Sequence, residues 1–130
     1  MNRLNKALIH WYGKCQSGVE VSTFGSEFCA MRIGVEISKA MRYKLCMLGI
    51  PITGPVNVFC DNEAVTKNVV KTESKLKKKH QSIACCYCWE AVVAGTTRVC
   101  HEGTLTNLMD LFTTYLPSSR HEYLLERFAY

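Results

Sequence analysis

The sequence predicts an α/β fold, a mixed sheet packed by one long helix and several shorter ones. Three observations carry this prediction. Strand-type and helix-type segments follow one another in the order β-β-α-β-α-α-β-α-α, so helices separate the later strands. Residues 23–48 repeat apolar side chains at spacings of three and four, the period of a helix face. Val56-Asn57-Val58-Phe59-Cys60-Asp61 is a short, mostly apolar run of the kind found in buried strands. The chain of 130 residues is the size of a single domain, 1–130.

Taken in order, residues 7–22 read as two extended stretches. Ala7-Leu8-Ile9-His10-Trp11-Tyr12 is rich in strand formers, Gly13 and Ser17-Gly18 signal turns, and Val19-Glu20-Val21 alternates, so a hairpin is the simplest reading. Ser22 or Thr23 can cap the long helix. Its apolar face is Phe24, Phe28, Met31, Val35, Leu45 and Leu48, interrupted around Ser38–Arg42, and Gly49 with Pro51 stops it. Glu27, Ala30 and Gly34 form a narrower stripe whose small residues would let another backbone approach. After the strand ending at Asp61, Asn62 can cap a helix at about 63–70. Residues 81–94 read as a helix stopped by Gly95, and Thr97-Arg98-Val99-Cys100 as a short strand. Caps between Thr104 and Asn107 predict a helix at about 108–116 with Asp110 in its first turn. Pro117-Ser118-Ser119 then breaks the chain before a last amphipathic helix to Tyr130.

Composition narrows the function classes. Apolar residues make up 48% and charged residues 21%, a globular balance. No apolar run is long enough to span a membrane, and Met1–Lys6 leads into a stretch too short and polar for a signal peptide. The expected location is therefore the cytoplasm or nucleus. Eight cysteines fall below the density of a secreted disulfide scaffold, so reduced thiols are expected. The net charge of +5 is local: residues 67–80 carry six lysines and one glutamate, and the rest of the chain balances. There are only two aspartates, Asp61 and Asp110.

Three carboxylates stand in strategic places. Glu27 is early in the long helix, Asp61 ends a strand, and Asp110 opens a short helix. In open α/β sheets, sites assemble at the carboxyl ends of strands. Carboxylates gathered there can hold hard divalent cations such as Mg2+, and a pair of ions can run in-line phosphodiester hydrolysis. Equally, Glu27 and Asp110 could simply favour helix N-termini, and Asp61 could be a turn residue.

Five stretches, in order and spacing, resemble the ribonuclease H region of copia-type LTR retrotransposon polyproteins. They are Ile9-His10-Trp11-Tyr12-Gly13-Lys14, Ser22-Thr23-Phe24-Gly25-Ser26-Glu27-Phe28, Gly54-Pro55-Val56-Asn57-Val58-Phe59-Cys60-Asp61-Asn62, Leu76-Lys77-Lys78-Lys79-His80 and Asn107-Leu108-Met109-Asp110-Leu111-Phe112-Thr113. The resemblance covers nearly the whole chain. It implies a ribonuclease H-like fold that cleaves the RNA strand of an RNA–DNA hybrid with two Mg2+ ions, attached to the reverse transcriptase region of a parent polyprotein. Glu27, Asp61 and Asp110 match the family's metal-binding carboxylates. His101 falls where some relatives place a histidine that helps position water or release product, or it is a polar residue ending a strand.

The departures from the family carry equal weight. The family's site uses four carboxylates, the first an aspartate on an opening strand, and no aspartate precedes Asp61 here. The chain is therefore expected to be an N-terminally truncated domain lacking its first strand, with an exposed sheet edge and little or no activity in isolation. Met109 stands where relatives tend to have a small residue, Thr114 where they have lysine, and Cys85, Cys86 and Trp89 where they carry Tyr, His and Arg. Such changes are expected of an element copy drifting free of selection.

Two further readings stay open. Lys75, Lys77, Lys78, Lys79 and His80 could contact nucleic-acid phosphates, which would leave a non-catalytic binding remnant acting through residues 67–80, or they could form a solvated face. Cys85-Cys86-Tyr87-Cys88 with Cys100-His101 could hold zinc, although the helix expected over 81–94 opposes it.

Overall fold

The computed structural model describes residues 1–4, 7–14, 22–70 and 79–129. The elements are β1 (Asn2–Leu4), β2 (Ala7–His10), α1 (Thr23–Met47), β3 (Val56–Cys60), α2 (Glu63–Val70), α3 (Lys79–Val93), β4 (Thr97–His101), α4 (Asp110–Thr113) and α5 (Ser118–Ala129). The protein is mixed α/β, as its sequence predicts, and from α1 onward the elements follow the predicted order. Among the described residues there is no single mixed sheet. Two small sheets form instead, β1 antiparallel to β2 and β3 parallel to β4. The chain divides into two compact units, 1–14 with 102–130 and 15–101, and each sheet belongs to one of them.

The unit 15–101 is built on α1. Ser22 Oγ accepts from the Gly25 N–H at 3.2 Å, which satisfies one of the unpaired donors of the first turn. At the other end Gly49 adopts φ +76°, a conformation that costs a β-carbon but not glycine. There the Gly49 N–H donates to the Cys46 carbonyl and the Ile50 N–H to the Leu45 carbonyl, closing the helix with a Schellman motif. Arg42 then donates to the carbonyls of Ile52 and Gly54, tying the connection back to the helix just before β3.

Phe28, Met31 and Val35 lie on one stripe of α1 and are buried against Val65 and Val69 of α2 and Ala84, Cys88 and Ala91 of α3. Burying each large side chain contributes roughly 1.5–3 kcal/mol. The stripe of Glu27, Ala30 and Gly34 does not serve close approach: Ala30 is exposed, and a β-carbon at Gly34 would meet open space. The helix packs through its Phe28 face instead.

β3 pairs with β4 in register from Val56 opposite Thr97 to Cys60 opposite His101. The sequence reads β3 as buried throughout, but the strand alternates. Val56, Val58 and Cys60 turn toward the helices, and Phe59 is 60% exposed. The helices of this unit cover one face of a two-stranded sheet, so the period of two governs burial. Gly95, at φ +66°, makes the turn from α3 into β4.

In the other unit, Ala7–His10 pairs with a strand that the sequence does not predict. β1 and β2 pair with Leu4 opposite Ala7, and Trp11–Lys14 forms no regular element. Asn2-Arg3-Leu4 is that partner, and Val19-Glu20-Val21, the predicted one, lies outside the described residues. Arg3 donates to the Phe128 carbonyl at 3.1 Å, and the Phe112 and Phe128 rings meet edge-on at 5.6 Å. α4 is shorter than the predicted 108–116, because Thr114 turns extended at φ −131°. Among the described residues no helix is long and apolar enough to cross a membrane.

Candidate metal centre

Glu27 sits beyond the first turn of α1, where no acidic residue occurs. The helix macrodipole, which acts within the first turn, therefore does not account for it. Glu27 is half-buried, and its Oε2 is buried with no hydrogen-bond partner. A carboxylate oxygen in that state carries an unmet desolvation cost.

Asp61 is placed by a tight strand-to-helix junction. β3 ends at Cys60, and Asn62 caps α2 with Oδ1, accepting from Ala64 N–H at 2.9 Å and Val65 N–H at 3.2 Å. Glu63 opens α2 and pairs with Lys67 at 2.7 Å, which holds the Glu63 carboxyl below its ordinary range. Asp61 is thus fixed between the last strand residue and the helix cap, at the carboxyl end of a parallel pair of strands.

Glu27, Cys60 and Asp61 converge. One ligand atom from each lies within 4.8 Å of the other two. Cys60 is the member that sequence reasoning missed. Its signal was available: it directly precedes the strand-end aspartate and lies on the inner side of an alternating strand. Burial raises the Cys60 thiol above its ordinary pKa, and the nearby Asp61 and Glu27 charges raise it further, against the opposing effect of a backbone hydrogen bond with Asn62. The thiol donates to the Asn62 carbonyl across 3.8 Å.

Hard divalent cations take carboxylate oxygens, and softer ones add thiolate sulfur. The donor set therefore fits a cation: two carboxylates and one sulfur from α1 and the end of β3, with one oxygen buried and unpartnered. Such an ion supplies Lewis acidity toward a phosphoryl or carbonyl oxygen.

The remaining predicted site residues are placed as follows. His101 is exposed at the end of β4, in register with Cys60 across the ladder. Asp110 lies in the unit 1–14 with 102–130 and is buried. There Arg120 donates to its Oδ2 at 2.8 Å and Asn107 to its Oδ1 at 3.0 Å, so both carboxylate oxygens carry donors. Lys75, Lys77 and Lys78 lie outside the described residues, and Lys79 and His80 open α3. Cys85, Cys86 and Cys88 lie along the helix predicted for them. Among the described residues they do not come together with Cys100 and His101 as a ligand cluster. Cys88 is fully buried in the core instead, and its thiol is pushed up to about 12. Compared with protein-family models, curated proteins and solved structures, the chain matches none.

Proposed function

We propose that this chain is a ribonuclease H-like domain of copia-type retrotransposon origin. Its ancestral reaction is metal-dependent hydrolysis of RNA in an RNA–DNA hybrid, beside a reverse transcriptase region. The observation that carries the reading is the convergence of Glu27 and Asp61 from a helix and a strand end. The resemblance pairs the same two residues as metal ligands. In this reading Glu27 and Asp61 hold a divalent cation, Mg2+ or Mn2+, and His101, in register with Cys60 on the neighbouring strand, is the candidate for positioning water or releasing product. The resemblance assigns Asp110 as a further carboxylate ligand; within its own unit its Oδ2 accepts from Arg120 at 2.8 Å.

Two carboxylates converge here where the family's site uses four, so turnover by this chain in isolation is expected near background. A fluorogenic hybrid-cleavage assay with Mg2+ or Mn2+ tests this. Background cleavage together with Mn2+ binding supports a crippled site. Turnover abolished by Asp61→Asn contradicts the inactive reading, and absence of Mn2+ binding contradicts the site.

A second reading rests on charge. The whole net charge of +5 equals that of residues 67–80. A segment of that kind binds nucleic-acid phosphates without sequence preference and weakens steeply with salt. Hybrid affinity unchanged between low and moderate salt contradicts it.

A further inference from the structure

We propose that Cys60 is a third ligand of the site, supplying a thiolate that makes it prefer a borderline-soft cation of the zinc class over magnesium. The inference rests on the reading that Glu27 and Asp61 hold a cation, and it specifies which one. Four observations carry it. The Cys60 Sγ lies within 4.8 Å of ligand oxygens of both carboxylates. Cys60 occupies the inner face of β3, half-buried beside the helices. The Glu27 Oε2 is buried without a partner. The three donors come from two elements that are each capped and packed, α1 and the β3–α2 junction.

Zinc bonds sulfur at about 2.3 Å and carboxylate oxygen at about 2.0–2.2 Å, so tetrahedral donors stand roughly 3.4–3.6 Å apart. Rotamer adjustment of Glu27 and Asp61 covers the remaining gap. Three protein ligands leave a coordination position open to water, the arrangement of catalytic rather than structural zinc sites. Magnesium wants near-ideal octahedral oxygen ligation and gains little from sulfur. On binding, the Cys60 S–H bond breaks, its proton passes to solvent, and a sulfur–metal bond forms in its place. The hydrogen bond to the Asn62 carbonyl is given up at the same time. Zinc would then compete with magnesium or manganese for the same carboxylates.

The test uses the full reduced chain. Co2+ is titrated as an optical probe for zinc, followed by displacement with Zn2+, in the wild type, Cys60→Ser and the control Cys86→Ser. Mn2+ binding is measured in parallel. The expected result is a near-ultraviolet thiolate-to-cobalt absorption in the wild type and Cys86→Ser that is lost in Cys60→Ser. Zn2+ affinity should fall at least about tenfold in Cys60→Ser while Mn2+ affinity stays within about twofold. Cobalt binding without that absorption, or equal Zn2+ affinity in Cys60→Ser, overturns the thiolate ligand and leaves the carboxylate reading standing. Failure of Mn2+, Co2+ and Zn2+ alike to bind any of the proteins removes both. A second measurement needs no variant: Zn2+, but not Mg2+, should protect Cys60 of the wild type from alkylation, read by peptide mass spectrometry. Alkylation of Cys60 at the same rate with and without Zn2+ overturns the inference.

Discussion

The carboxylates of Glu27 and Asp61 lie within 4.8 Å of one another, one projecting from the second turn of α1 and the other from the end of β3. Like charges held that close repel, and a cation between them relieves the repulsion. Neutralising one should therefore have opposite effects on stability and on binding. Glu27→Gln is expected to raise the urea midpoint of the metal-free protein and to weaken Mn2+ binding. At an effective dielectric between that of water and of a protein surface, a lost charge near 4 Å is worth about 1–4 kcal/mol per unit charge, roughly five- to thousandfold in affinity. A lower midpoint with unchanged Mn2+ affinity contradicts the site.

Asn62 caps α2 and fixes the residue before it. Asn62→Ala removes the acceptor for two backbone donors and should cost about 1 kcal/mol of stability. It should also loosen Asp61 and weaken Mn2+ binding, whereas Ser22→Ala, which removes the α1 cap, should cost a similar amount of stability with a smaller effect on binding. Chemical denaturation and Mn2+ titration of both variants separate the two effects. Equal loss of Mn2+ affinity in both contradicts a specific role for the β3–α2 junction.

Asp110 is held by Arg120 and Asn107 in the unit 1–14 with 102–130. Arg120→Ala leaves a buried carboxylate without its cation and should destabilise by about 1–3 kcal/mol. Arg120→Ala combined with Asp110→Asn should recover part of that loss. A double-mutant cycle by urea denaturation measures the coupling, and strict additivity of the two changes contradicts a working ion pair.

Burial raises the Cys88 thiol to about 12 from an ordinary 9.0, with Cys85 adding to the shift and Lys39 and Arg32 opposing it. Below pH 9 the thiol is protonated in folded and unfolded chains alike, and its contribution to stability is fully present. Between 9 and about 12 the unfolded chain loses the proton and the folded chain keeps it, so stability falls as pH rises, by up to about 1.4 kcal/mol per pH unit. Cys88→Ala should flatten the alkaline loss of the urea midpoint relative to the wild type. At pH 8 the native Cys88 should also resist alkylation while exposed Cys46 and Cys86 react. Parallel alkaline profiles for the two proteins contradict this assignment.

Much of this architecture is legible in the residues. The stripe of Phe28, Met31 and Val35, the Ser22 cap and Gly49 define α1 because local periodicity and capping decide a long helix. Asn62 and Asp61 mark the β3–α2 junction for the same reason. The early hairpin is less legible, since Asn2-Arg3-Leu4 is too short to show a period. The exposure of Phe59 depends on which face the helices cover, which an apolar run does not encode. At the site, the spacing of carboxylates points to Glu27 and Asp61. Cys60 escapes notice because a buried cysteine in a strand reads as a small hydrophobe until the two carboxylates are seen around it.

The most direct test of the central claim is Mn2+ binding followed through the free-ion paramagnetic resonance signal, with circular dichroism confirming that each protein is folded. The wild type should remove Mn2+ from solution at one site per chain. Glu27→Gln and Asp61→Asn should each lose at least about tenfold in affinity while keeping the helical signal. Equal Mn2+ binding by the wild type and both variants would contradict a cation site built on Glu27 and Asp61.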